Sequence, residues 1–169
     1  MIHIIAIVFI AVTAWVSQQV VVQAGTVSTS FPVSATVGEG CTINVSGISF
    51  PTITQGGVSD ASGSISVTCP LSIAYNVTMN SGLNYDSASG RRRMNNGAGQ
   101  LLTYNLYRNS GLNQIWGDSG FQNTIPNGTP LPGTGTGAPQ TVTVFGHVHG
   151  NQTVLNGTYT DDVLVTVNF

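Results

Sequence analysis

The sequence predicts an all-β protein, an antiparallel sandwich of two sheets. Three observations carry that prediction. Apolar residues recur at every second position over several stretches, the period of a strand with one buried face. After the first two dozen residues, no stretch has the period of a helix. The connections are rich in Gly, Asn, Pro, Ser and Thr, the residues that make turns. Strands joined by short turns bury their apolar faces by packing sheet on sheet.

Residues 1–24 read as a signal peptide. Ile4 to Val16 is an apolar run broken only by Thr13, too short for a comfortable membrane span. Val22-Gln23-Ala24 places short side chains where a signal peptidase wants them, so cleavage falls before Gly25. The segment before the run carries no Lys or Arg, only His3. Removing 24 of 169 residues leaves about 145, enough for one domain with a sizeable core.

Residues 25–38 form the next stretch. The odd positions are Val27, Thr29, Phe31, Val33, Ala35 and Val37; the even ones are Ser28, Ser30, Pro32, Ser34 and Thr36. Such a strand has one apolar edge and one polar edge. Pro32 lacks a donor and disfavours a central place in a continuous sheet. Two readings stay open on this pattern: the first strand of its own domain, or an arm for another molecule's sheet.

Residues 39–169 read as the domain proper. Cys41 and Cys69 are the only cysteines. After export they have one possible intramolecular pairing, so a Cys41–Cys69 disulfide is expected. Ile65, Val67, Cys69, Leu71, Ile73, Tyr75, Val77 and Met79 share one parity, and Pro70 divides them into two strands. Leu102, Tyr104 and Leu106 alternate with polar neighbours, as do Val142, Val144 and Val148 around Gly146. Tyr159 to Phe169 is a last β segment. Gln55-Gly56-Gly57, Asn95 to Gly99, and Pro126 to Pro139 read as connections.

Composition narrows the functions. Charged residues are 6% of the chain and the net charge is −2, against about a quarter charged in an ordinary domain. There is no Lys, and the basic residues are Arg91, Arg92, Arg93 and Arg108. A nucleic-acid partner is not expected of such a chain. Its neutral surface offers little repulsion against self-association.

Several motifs invite chemistry and do not sustain it. Gly117-Asp118-Ser119-Gly120 resembles a serine-protease nucleophile segment, but Phe121 and Gln122 follow it and no upstream histidine motif exists. His147-Val148-His149 puts two imidazoles on one strand face. Asp161 and Asp162 are the only acids nearby in sequence, so no metal is expected and two solvent-facing histidines are. Arg91-Arg92-Arg93 reads as a loop whose guanidinium groups bond to carbonyls. Sequons at Asn44, Asn76, Asn127, Asn151 and Asn156 matter only in a eukaryotic secretory pathway. No catalytic residue and no cofactor site is expected.

Seven segments in order resemble the spore coat protein U domain family, which includes subunits of archaic chaperone–usher pili (sigma fimbriae). They are Cys41-Thr42-Ile43, Ile65 to Cys69, Arg92-Arg93-Met94, Leu102 to Tyr107, Ile115 to Asp118, Gln140 to Gly146 and Gly157 to Val167. The resemblance implies an immunoglobulin-like antiparallel sandwich lacking its last strand, with residues 25–38 as an N-terminal donor-strand arm. It implies a periplasmic chaperone, an outer-membrane usher and neighbouring pilus subunits as partners. It implies export through the periplasm to the cell surface, and no enzymatic activity. The competing functions are a lectin-like adhesin and a secreted metal-binding sandwich.

Overall fold

Eight strands make two antiparallel sheets, and no helix occurs among the described residues. The computed structural model describes Thr29, residues 32–34 and residues 40–169. The strands are β1 (Thr42–Ser46), β2 (Ser59–Thr68), β3 (Ala74–Met79), β4 (Arg92–Asn95), β5 (Leu101–Tyr107), β6 (Leu131–Thr134), β7 (Gln140–Val148) and β8 (Val165–Asn168). The larger sheet has the order β1-β2-β7-β5-β4 and the smaller the order β6-β3-β8. The chain divides into two units, Met1–Thr36 and Val37–Phe169; the sandwich belongs to the second.

The alternation seen in the sequence becomes the core. Ile65 and Val67 of β2, Tyr75, Val77 and Met79 of β3, Leu102, Tyr104 and Leu106 of β5, and Val144 and Val148 of β7 are all buried. They form one cluster between the sheets with Met94 and Trp116. Pro70 ends the β2 run as expected, and a turn with Ser72 at φ 67° leads into β3. Residues of one parity face inward because successive side chains alternate across a strand.

Cys41 and Cys69 are joined by a disulfide, with Cα atoms 4.3 Å apart across a separation of 28 residues. Cys41 stands just before β1 and Cys69 just after β2. The bond therefore fastens one end of the β1–β2 pair, whose register sets Thr42 against Thr68 and Ser46 against Ser64.

Three expectations are corrected. The arginine run is not a loop, because Arg92 and Arg93 begin β4 and pair with Tyr104 and Thr103 of β5. A short strand, β6, lies inside the stretch from Pro126 to Pro139, where Leu131 pairs with Val77. The last segment is strand only over Val165–Asn168. Ahead of it, Thr160 makes an isolated bridge to Asn95 of β4. The chain thus leaves the larger sheet at Thr160 and joins the smaller at Val165. Pattern alone could not place that exchange, since the alternation continues through it.

Glycine is required where two loops cross. A Cβ on Gly117 would lie 2.6 Å from the Gly128 Cα, and one on Gly128 would lie 2.7 Å from the Gly117 Cα. The crossing carries backbone bonds from Gly117 to Thr129 and from Ser119 to Gly128.

Candidate functional site

The sandwich is open on one side. β1 pairs only with β2, and β8 only with β3, among the described residues. Val45 and Ser46 of β1 and Val163 and Val165 at β8 line the two walls of one groove of about 340 Å3. Its floor is the core itself: Ile65, Met79, Met94, Tyr104, Leu106 and Val144. Every residue of β8 is half-buried, while Tyr75, Val77 and Met79 of β3 behind it are buried. Among the described residues β8 is therefore an edge strand, paired on one side only.

A second, larger cleft of about 710 Å3 continues the groove between residues 48–57 and residues 152–160. Ile48, Phe50, Met94, Tyr159 and Thr160 line both parts. Gln55 bridges the walls at the far end, its Nε2 donating to the Val154 carbonyl at 3.2 Å. The half-buried apolar residues Ile48, Phe50, Ile53, Val154, Tyr159, Val163 and Val165 all lie along these walls, against the core. Here the core reaches the surface, and unpaired strand edges with apolar side chains beneath them invite another strand.

Two glycines make the seat for one wall. A Cβ on Gly146 would meet Phe50 Cζ at 2.8 Å and Ile48 Cδ1 at 3.1 Å, and one on Gly63 would meet Ile48 Cγ1 at 2.9 Å. The segment after β1 therefore folds inward over the larger sheet. Phe50 packs edge-to-face on Tyr104, with ring centroids 6.4 Å apart.

Buried polar groups hold the floor. Arg92 is fully buried. Its Nε donates to the Asn80 carbonyl at 2.9 Å, and Nη2 donates to the carbonyls of Asn80 at 2.7 Å, Trp116 at 2.8 Å and Met79 at 3.3 Å. Burial pulls its pKa down to about 10, with Tyr104 and Asp161 opposing. The expected arginine–carbonyl bonds are thus present, made from a strand. Trp116 Nε1 donates to the Val77 carbonyl at 2.9 Å. Tyr104 donates its hydroxyl to Asp161 Oδ2 at 2.6 Å. Burial and then this bond to Asp161 push the Tyr104 pKa upward.

The other motifs have structural explanations. Asp118 is buried and accepts from Thr124 Oγ1 at 2.7 Å and from the Ile125 amide at 2.9 Å. Burial alone would raise its pKa, but the bonds from Thr124 and Ile125 outweigh it and hold the carboxyl low. Gly117 to Gly120 is the start of this looped turn. The histidines are not simply solvent-facing: both are half-buried, and their rings meet edge-to-face at 4.9 Å. The acid beside them is Asp60, whose Oδ1 lies 2.6 Å from His147 Nδ1. Asp60 pairs with His147 through the β2–β7 register, a neighbour that sequence distance conceals. Burial, Arg91 and His147 lower the His149 pKa to about 4. Among the described residues no group of three or more His, Cys, Asp or Glu is placed to hold a metal.

Of the predicted donor face, Thr29 and Val33 are described and both are exposed, Val33 at 84%. Val27, Phe31, Ala35 and Val37 lie outside the described residues. Sequence reasoning missed the wall that follows β1. Ile48, Phe50 and Ile53 have no strand-long alternation, and their role emerges only where the chain folds over Gly63 and Gly146.

Fold and groove together define an immunoglobulin-like sandwich that, among the described residues, is one strand short. The chain belongs to the Spore Coat Protein U domain family, whose model matches residues 27–166. It is 37% identical over 113 residues to Protein U of Myxococcus xanthus, covering 63% of this chain and 59% of that protein. It is similar in structure to a chain in the CsuC–CsuE chaperone–tip adhesion subunit pre-assembly complex from archaic chaperone–usher Csu pili of Acinetobacter baumannii. That match has a TM-score of 0.58 at 24% identity and covers 79% of this chain and 40% of that chain. The match therefore spans 59% of the first relative's length and 40% of the second's, and the structural likeness is one of fold.

Proposed function

We propose that this chain is a structural subunit of a surface pilus or a spore-coat-like assembly and polymerises by donor-strand exchange. The observation that carries this reading is the open apolar groove between β1 and β8, floored by the core. Residues 25–38 are the arm that fills the groove of another subunit. Val27, Thr29, Phe31, Val33, Ala35 and Val37 face inward, and the arm's backbone completes the ladder between the walls. A periplasmic chaperone covers the groove first, an outer-membrane usher is the site of exchange, and the preceding subunit is the final partner. Export through the periplasm to the cell surface, with residues 1–24 removed as a signal peptide, fits the disulfide and the charge-poor surface. The work is mechanical and requires no catalytic group.

The test is Phe31→Asp beside Ser30→Asp and Ser34→Asp in cells carrying the chaperone and usher. Truncating a buried Phe typically costs about 3–5 kcal/mol, and an unpaired charge in an apolar site costs more. Phe31→Asp should leave the chaperone-bound subunit intact and abolish the heat-resistant polymer ladder on gels. The two serine variants, on the opposite edge, should still polymerise. If Phe31→Asp instead unfolds the chaperone-bound subunit while survivors polymerise, residues 25–38 are an ordinary first strand and the reading fails.

A further inference from the structure

The groove's polar lining residues are Ser46, Ser64, Thr160, Asp161 and Asp162, and the one that shares the inward parity of Tyr159, Val163 and Val165 is Asp161. There Tyr104, buried to 4% exposure, donates its hydroxyl to Asp161 Oδ2. Asp161 Oδ1 accepts from the Leu83 amide at 2.8 Å and from the Asp162 amide at 3.0 Å. An ionised carboxylate offers about four acceptor sites. Three are used, so Asp161 has room for one more donor, and it lines the groove. Around it the half-buried walls are Phe50, Tyr159, Val163 and Val165, which offer a polar side chain little or nothing.

The inward edge of residues 27–37 has the matching pattern. Five of its six side chains are apolar and one, Thr29, carries a hydroxyl. Resting on the donor-strand reading above, we infer that Thr29 of a second copy of this chain donates its hydroxyl to Asp161. That contact sets the register in which one subunit's arm seats in the next subunit's groove.

The argument is one of mutual exclusion. Inward positions recur every two residues, so a slipped arm moves by two. A slip in one direction puts Val27 on the Asp161 carboxylate, and in the other Phe31. Either leaves the carboxylate's open site facing carbon and carries the Thr29 hydroxyl among apolar walls without a partner. Both errors are unfavourable at once, because a buried polar group without a hydrogen bond loses its hydration and gains nothing. Apolar side chains alone discriminate register weakly, since Val27, Val33 and Val37 are alike. A single polar pair makes one register distinct, and it favours a second copy of this chain over an arm with no hydroxyl at that position.

Cysteine cross-linking in assembled polymers tests this. With Thr29 opposite Asp161, the outward neighbours Ser28 and Ser30 lie opposite Thr160 and Asp162, whichever way the arm runs. Single arm variants Ser28→Cys and Ser30→Cys, each combined with Thr160→Cys or Asp162→Cys, should give intersubunit disulfides in the oxidising compartment. Thr26→Cys and Pro32→Cys, the positions that a slip to Val27 or to Phe31 would bring there, should not in the same combinations. Thr29→Val polymers should dissociate in denaturant about tenfold faster than the parent, the loss of one charge-assisted hydrogen bond, and Thr29→Ser should restore the parent rate. Polymers that cross-link through residue 26 or 32, or through none of the pairs, would overturn the register while leaving donor-strand exchange standing. Equal dissociation rates for Thr29→Val and parent would do the same. Failure of Phe31→Asp to affect polymerisation would remove the donor-strand reading and this contact with it.

Discussion

Arg92 is the residue whose loss should be felt most in the folded domain. Its guanidinium satisfies the carbonyls of Met79, Asn80 and Trp116 from a fully buried position. Arg92→Met keeps much of the volume and leaves those carbonyls without donors, at about 1–3 kcal/mol for each group left unsatisfied. We expect a loss of at least about 3 kcal/mol, read as a lower urea midpoint of the chaperone- or strand-complemented subunit. Arg91→Met, at an exposed neighbouring site, should stay within about 0.5 kcal/mol of the parent. The histidines predict a pH dependence. His149 has its folded-state pKa lowered to about 4 from 6.5. The unfolded chain therefore binds the proton more readily. Stability from this group is present above pH 6.5 and is lost as pH falls from there toward 4. Denaturation midpoints measured between pH 7.5 and 4.5 should decline, and His149→Gln should flatten the decline. Asp118, held below its ordinary value, adds its loss only at still lower pH.

At the scale of elements, the β1–β2 pair is the one fastened covalently. β1 is exposed along its whole length and forms one wall of the groove, so the disulfide holds an edge strand that packing alone holds poorly. Closing a loop of 28 residues' separation should contribute about 3–4 kcal/mol in the chain-entropy model. Cys41→Ala with Cys69→Ala should lower stability by about that amount and raise amide exchange first in Thr42–Ser46. Exchange that rises uniformly across both sheets would mean that β1 is not the element the bond secures. Opposite it, β8 is tied by β3, by the Leu164 carbonyl to the Asn80 amide at 3.0 Å and by the Leu164 amide to Asn80 Oδ1 at 2.9 Å. One wall is thus secured by a covalent bond and the other by hydrogen bonds to Asn80.

For the whole molecule, the donor-strand reading of the open groove predicts that the sandwich alone is an incomplete folding unit. A chain with residues 25–38 deleted should self-associate or melt without cooperativity in the absence of chaperone. A synthetic peptide of residues 25–38, added in trans, should produce a cooperative, concentration-dependent transition. At a hundredfold excess over Kd, the linkage stabilisation is about 2.7 kcal/mol. Calorimetry with and without peptide checks this. A soluble, cooperatively melting monomer that lacks residues 25–38 and has no partner would contradict it. With a net charge of −2 and 6% charged residues, little repulsion opposes strand addition between copies.

The sequence by itself determined the fold class, the inward residues of the long strands and the cysteine pairing. Each rests on a local rule: alternation at Ile65, Val67 and Cys69 reports which side of a strand is buried, and two exported cysteines have one intramolecular partner apiece. It also made the two-edged pattern of residues 27–37 visible. It did not reveal that Arg92 lies in a strand, that Asp60 meets His147, or that Leu131 begins β6. Those depend on which strands are neighbours, and a strand pattern names a buried face without naming the strand beside it. The groove was the least legible feature. Its walls come from Ile48 and Phe50, seated over Gly63 and Gly146, and from the passage of residues 160–165 between sheets. Only tertiary structure brings those separate segments together, because a missing neighbour leaves no pattern in the residues that would have touched it.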